Sequence, residues 1–477
     1  MALGLGAGCA AGNEDEADGE GGGDPKPPKA VPAKGISVTD VDFYQGIEIP
    51  FVRAGQDVPA TVPVVAGRDA YLRVGFTVDA DFAPRPVRLR ISFESASATL
   101  EPVDVEVPVG ASSNPASLAS TLNAAIPGAS ILTDSSFRVD ILELDPDEEH
   151  SEALGTPGWP AEGSTSFGAQ DAGSRTKIVL VPVVYNPDGS GRTPDMSEAQ
   201  VELYRSRVLS MYPTPAVEIE IGQPWNYNGP SVEAFGNGWG ELLASFANAH
   251  HGGGSDPYAY YYGLFSPDSS FNSYCGGGCV TGLSYSSVQP FDDDARSSVS
   301  LGFTGLEFAD TMAHELGHAH GQGAHAPCGG AGDVDNAYPY PGGGIGVLGM
   351  DVAKVELKKP TEWKDLMGYC TQNWISDYTY RLFFSRTQAL AQVSMAKYQG
   401  PSRAWRAFAV REDGSLYDVG TSQRTMAPGG NPVRVDARRQ SGEPAQLDGV
   451  FLPNDHLPGG MLLVPEEPGL TALRITN

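Results

Sequence analysis

Ala313-His314-Glu315-Leu316-Gly317-His318-Ala319-His320-Gly321-Gln322-Gly323-Ala324-His325 holds four of the eight histidines in the chain. On a helix, His314 and His318 lie four positions apart and project from one side, where two imidazoles can share a zinc ion at about 2.0–2.1 Å each. Glu315 sits beside the first of them, placed to act as a general base on a water polarised by the metal rather than as a ligand. Upstream, Phe303, Leu306, Phe308 and Met312 form an amphipathic run that would bury the back of a helix predicted over Glu307 to His320. Gly321 can adopt a left-handed conformation that ends the helix and turns the chain back, and His325, beyond that turn, is the expected third ligand. His320 is two positions from His318 and would point to the opposite side, as a surface histidine or one that supports a ligand.

The extended pattern resembles that of the metzincin metalloproteases, in which two helical histidines are joined by a third after a glycine turn. That family has two residues between the glycine and the last histidine; here Gln322, Gly323 and Ala324 intervene, and Gly323 supplies the freedom to absorb the extra one. Downstream, Asp365-Leu366-Met367-Gly368-Tyr369-Cys370 is similar to the family's Met-turn. The resemblance places Met367 beneath the ligands and Tyr369 near the metal, its hydroxyl binding the ion at rest or stabilising an oxyanion. Met350 is an alternative Met-turn residue without a neighbouring tyrosine. The Gly- and Pro-rich stretches 326–330 and 338–351, with Trp374 to Tyr380, resemble the gametolysin-like and StcE-type secreted branches. The likeness covers about residues 305–380, and the half before it only in the order of its elements. It implies a Zn2+-dependent endopeptidase acting on protein or glycoprotein, with Glu315 and Tyr369 catalytic and His314, His318 and His325 holding the metal. Two other readings are a surface-binding adhesin lipoprotein whose protease-like fold keeps only a degraded site, and a zinc hydrolase acting on a non-peptide bond.

Further out, Lys177 to Tyr185 is a nearly continuous apolar strand, Ser197 to Met211 is helical, and Val217 to Ile221 is again a strand, an order that suggests an α/β unit. Trp239 to Ala249 reads as a helix and Tyr258 to Phe265 as a strand. From Gly35 to about 170, alternating runs such as Ala70 to Val78, Val87 to Phe93 and Phe137 to Leu144 indicate an antiparallel sandwich, with Ser117 to Ala125 a short helical candidate. From about Arg381 only strands are expected, at Trp405 to Val410, Pro432 to Ala437 and Met461 to Val464. The fold class is therefore α+β, with a metzincin-like zinc domain at 172–385 flanked by a β-sandwich at 36–171 and a C-terminal β-sandwich at 386–477.

The 477 residues allow roughly two to four domains. Fifty-nine Gly and 38 Pro favour loops and strands over long helices. With 31 Lys plus Arg against 59 Asp plus Glu, the formal charge of −28 excludes nucleic acid and anionic membrane surfaces as natural partners. No apolar stretch is long enough for a transmembrane helix. Met1 to Gly8 followed by Cys9 resembles the end of a bacterial lipoprotein signal, which would make the protein exported and tethered through a lipid at Cys9; residues 13–35 read as an acidic and Pro-rich linker. The protein is expected to be a monomer. Cys275, Cys279, Cys328 and Cys370 permit three pairings; Cys275 with Cys279 and Cys328 with Cys370 is favoured because the second bond would staple two segments of the site, and a four-thiolate zinc cluster is the alternative. His250 and His251 are expected in a solvated loop. Asp292, Asp293 and Asp294 read as a solvated charge run, with calcium binding the sharper alternative.

Overall fold

Alternation of apolar and polar residues builds the first part of the chain. Along Arg85–Glu94, Val87, Leu89, Ile91 and Phe93 are buried while their neighbours are more exposed. The computed structural model describes residues 30–147, 149–251, 256, 258–286, 289–393 and 401–476. Cys9, the linker before residue 30 and Gly252 to Gly254 lie outside them. One antiparallel sheet runs Gln56–Asp57, Glu48–Arg53, Ile36–Tyr44, Ala70–Val78, Leu122–Ile126. A second is built on Ser136–Glu143, Arg85–Glu94 and Val103–Val109. Phe51, Phe137, Trp159 and Phe167 pack on one another in the core. No α-helix forms at Ser117 to Ala125: Leu118–Ser120 make one tight turn, and Leu122–Ile126 pairs with Ala70–Val78. Leu122, Ala124 and Ile126 are buried at every second position, a strand period that prevails over helix propensity.

At Thr176–Tyr185 the chain enters a strand buried on both faces, as a central parallel strand must be. Its sheet runs Val217–Ile221, Thr176–Tyr185, Tyr260–Phe265, Ser297–Leu301, Gly282–Ser284, the first four parallel and the last antiparallel at the edge. Five α-helices occur among the described residues: α1 (Glu198–Met211), α2 (Trp239–His250), α3 (Phe271–Cys275), α4 (Leu306–Ala319) and α5 (Asp377–Ala391). Helices α1 and α4 pack together, and α4 lies against the two strands at the antiparallel edge. On the opposite face Gly263 admits α2, since a Cβ there would stand 2.9 Å from the Phe246 ring. The helix α5 corrects the expectation of strands alone beyond Arg381. Ser376 caps it by accepting the Thr379 N–H, and Tyr380, Phe383, Phe384, Thr387 and Leu390 bury a stripe spaced by three and four.

The C-terminal segment forms one six-stranded antiparallel sheet in place of the expected sandwich, in the order Leu416–Arg424, Arg403–Val410, Gly460–Pro465, Pro444–Pro453, Asn431–Arg439, Leu470–Thr476. The cover that a second sheet would give comes from α2, which packs against it. Trp405, Ala407, Ala409, Met461 and Leu463 join the main core, while Phe408, Val435, Leu447 and Val464 make a smaller core of their own. Helix α2 is thus buried on nearly all sides, from Trp239 through Asn248.

Three further expectations are corrected, two of them around this junction. His250 closes α2, its Nδ1 2.8 Å from the Phe246 carbonyl oxygen, and His251 is buried rather than solvated. The aspartates 292–294 are not a solvated run: Asp292 and Asp294 are buried. Asp294 pairs with Arg424, which also donates to the His251 carbonyl at 3.2 Å. Burial pushes the Asp294 carboxyl up to about 7 against the pull of Arg424. Leu306, expected on the buried back of α4, is exposed at its first turn.

Candidate metal centre and cleft

The apolar face of α4, Phe308, Ala309, Met312, Ala313 and Leu316, is fully buried, which fixes the rotation of the helix and brings His314, Glu315 and His318 to its inner end. Gly317 lets the helix approach the 365–370 turn, because a Cβ at that position would lie 2.5 Å from the Met367 sulfur. The helix ends as expected at Gly321, whose φ is +103°. Gly321 N–H donates to His318 O at 2.9 Å and Gln322 N–H to Gly317 O at 3.0 Å, the paired bonds of a Schellman cap. The reversed chain then brings His325 against the other two, with ring centroids 4.7 Å from His318 and 5.6 Å from His314. All three residues are buried, and one nitrogen from each lies within 4.8 Å of the others.

Each helical imidazole is oriented by a backbone carbonyl: His314 Nδ1 meets Leu366 O at 2.8 Å and His318 Nδ1 meets Gln322 O at 2.6 Å. Those bonds place the protons on Nδ1 and leave both Nε2 atoms as lone-pair donors, the arrangement that metal-ligating histidines need. The two Nε2 atoms stand 3.1 Å apart. Two unprotonated nitrogens at that distance repel unless a cation lies between them. Ligands bound tetrahedrally at about 2.0–2.1 Å would be separated by about 3.3 Å, so the spacing fits a shared metal ion. His325 is completely buried with no well-formed hydrogen bond to either ring nitrogen. Burial holds His314 well below the usual imidazole range and brings His325 to about 4. The triad is therefore neutral and able to hold a metal ion.

Glu315 is buried beside the triad with its Oε2 unpartnered. Burial, then the neighbouring Asp455, raise its pKa. The edge strand presses on it at Gly282, where a Cβ would lie 2.5 Å from Glu315 Cγ and 2.6 Å from Oε1. Tyr369 is 42 % exposed, with its ring centroid 4.8 Å from that of His325. Burial of the rest of the ring and the charge of Glu315 raise the pKa of its hydroxyl. These groups open onto a cleft of about 820 Å³ lined in part by Gly282, His314, Glu315, Tyr369, Asn373 and His456. All five site residues expected from the sequence thus converge.

The segment carrying His325 is tied to the 365–370 turn. Ala326 N–H donates to Met367 O at 3.0 Å, Tyr369 N–H to Cys328 O at 3.1 Å, and Cys328 is disulfide-bonded to Cys370. Cys275 and Cys279 form the other bond, so the favoured pairing holds and the thiolate cluster does not. Two disulfides point to a non-cytoplasmic setting. Asp365 shapes the turn from within, its carboxylate accepting N–H bonds from Met367 at 2.8 Å and Ser376 at 2.9 Å. Met350 belongs elsewhere, in a short strand whose N–H donates to Gly46 O at 2.9 Å. His320 is neither at the surface nor beside the ligands. It is a core histidine bonded to Tyr260 and within 3.1 Å of Phe383 O and Thr387 Oγ1, and burial lowers it to about 3.

Two residues of the site were not foreseen. The turn after Pro444–Pro453 carries Asp455 and His456 to the triad. Asp455 bonds the edge strand as a backbone partner would, donating its N–H to Ser284 O at 3.1 Å and accepting the Ser284 N–H on Oδ1 at 3.3 Å. Its Oδ2 lies 2.7 Å from His456 Nδ1 and 3.4 Å from His318 Nε2. The one hint in the sequence is an Asp-His pair inside the turn-forming stretch Asn454 to Gly460.

No family model and no curated protein matches this chain.

Proposed function

We propose that this protein is an exported zinc-dependent endopeptidase with a metzincin-type catalytic unit at about 172–385, acting on protein or glycoprotein substrates. The observation that carries the reading is the buried convergence of His314, His318 and His325, with the Glu315 carboxylate, its Oε2 unpartnered, on the same cleft. Zinc, when bound, would supply Lewis acidity, polarising a carbonyl and making water more acidic. The three imidazoles would hold it, those of His314 and His318 kept in the ligating tautomer by the Leu366 and Gln322 carbonyls. Glu315 takes a proton from the attacking water at its carboxylate and returns it to the leaving nitrogen. Tyr369 donates its hydroxyl proton in a hydrogen bond to the carbonyl oxygen as that oxygen gains charge. The edge strand and the 365–370 turn form the walls between which an extended peptide would lie. A lipid at Cys9 would tether the chain, which we take to act as a monomer.

The test is direct. Purified protein should contain about one zinc per chain, cleave casein or a glycoprotein, and lose that activity to a chelator and regain it with zinc. Protein that takes up zinc yet cleaves neither substrate would overturn the proteolytic reading. A narrower prediction concerns Gly282. Alanine there must displace the Glu315 carboxylate, and a misplacement of about 1 Å lowers turnover about 10²-fold. Zinc content measured alongside should not change, because the three atoms nearest to a Cβ at Gly282 all belong to Glu315.

A further inference from the structure

We propose that His456, held by Asp455, is a catalytic residue of this cleft, so that the C-terminal sheet supplies part of the chemistry; the inference rests on the proteolytic reading above. The Nδ1 of His456 is committed to Asp455 Oδ2 at 2.7 Å. That bond leaves Nε2 as the nitrogen available to a ligand, and the residue lines the same cleft as Glu315 and Tyr369. The His456 side chain is 17 % exposed, open enough to be met from the cleft and enclosed enough to be held. Its ring centroid lies 6.5 Å from that of His325 and 6.1 Å from that of Tyr369, so the His456 and Tyr369 rings stand next to each other beside the triad. Glu315, Asp455 and His456 each offer an atom within 4.8 Å of the others.

Asp455 is held rigidly by its surroundings. Its carboxylate is completely buried, and both its N–H and its Oδ1 are bonded to Ser284 of the edge strand. Orientation of an imidazole by a buried carboxylate fixes which nitrogen faces the reactant. As an imidazolium paired with the buried Asp455 carboxylate, His456 donates its Nε2–H to the carbonyl oxygen of the scissile peptide as it becomes tetrahedral, alongside Tyr369. No bond to protein forms, and the proton budget of the reaction stays with Glu315. The role differs from that of a packing residue because the interaction strengthens as charge develops.

The experiment uses the full zinc-loaded chain. His456→Ala should lower kcat by about 10²–10³-fold, with KM changed by less than about threefold and zinc content unchanged. His456→Gln, which keeps a side-chain donor, should recover at least about tenfold of that loss. Asp455→Asn should fall between the alanine variant and the wild type. Independently of turnover, the affinity of His456→Ala for a phosphinic peptide, tetrahedral at phosphorus, should fall by about the same factor as kcat/KM. Its affinity for the cleaved product peptide should not. An active wild type whose His456→Ala variant stays within about threefold in kcat/KM overturns this inference alone. So does a variant that weakens phosphinic and product peptides equally, since that marks a structural role. A wild type that binds zinc and cleaves nothing overturns the proteolytic reading and this inference with it.

Discussion

Glu315→Gln is expected to lower turnover by about 10²–10⁴-fold while the zinc content of the protein stays at the wild-type level. The side chain is buried, its Oε2 has no partner, and Gly282 packs against it, so the amide, which has the same shape, fits the same space. What the substitution removes is the ability to accept a proton. Kinetics on a peptide substrate together with metal analysis of the same sample check both halves. Retained turnover would take the role of base away from Glu315, and lost metal would mean that its charge holds the ion.

His325→Ala should have the largest effect on the metal itself. Substituting residues that merely support a ligand costs about 10–100-fold in metal affinity, so losing an imidazole that completes the triad should weaken zinc by more than about 100-fold. Stability follows by mass action. At a free zinc concentration of 100 times Kd, binding adds about 2.7 kcal/mol to the wild type, and the variant should lose that increment. A melting series against zinc concentration would show a rising Tm in the wild type and a flat line in the variant. Equal slopes would place the third ligand on another side chain.

Much of the site was legible because it is written locally. His314 and His318 are spaced by one helical turn with Glu315 between them, and Gly321 forms the cap that turns the chain back towards His325. The strands of the first and central sheets follow the periodicity of their apolar residues. What was not legible depends on contacts between distant segments. Asp455 and His456 look like ordinary turn residues until the edge strand bonds Asp455 at Ser284 and Asp455 holds His456. The aspartates 292–294 look like a solvated run until Arg424 arrives from another sheet. His251 follows a helix whose surroundings are set by residues 401–476. The Ser117 to Ala125 error is different in kind: a short apolar run satisfies both periods, and pairing with Ala70–Val78 decides between them.

The burial of α2 from two sides sets where the polypeptide can be cut. A fragment stopped at residue 393, just past α5, would expose the faces of α2 that the final sheet covers and would leave Asp294 without the guanidinium that neutralises it. It should be recovered as aggregate or degraded by host proteases rather than as a miniature enzyme, and an expression boundary for this protein belongs after the last strand.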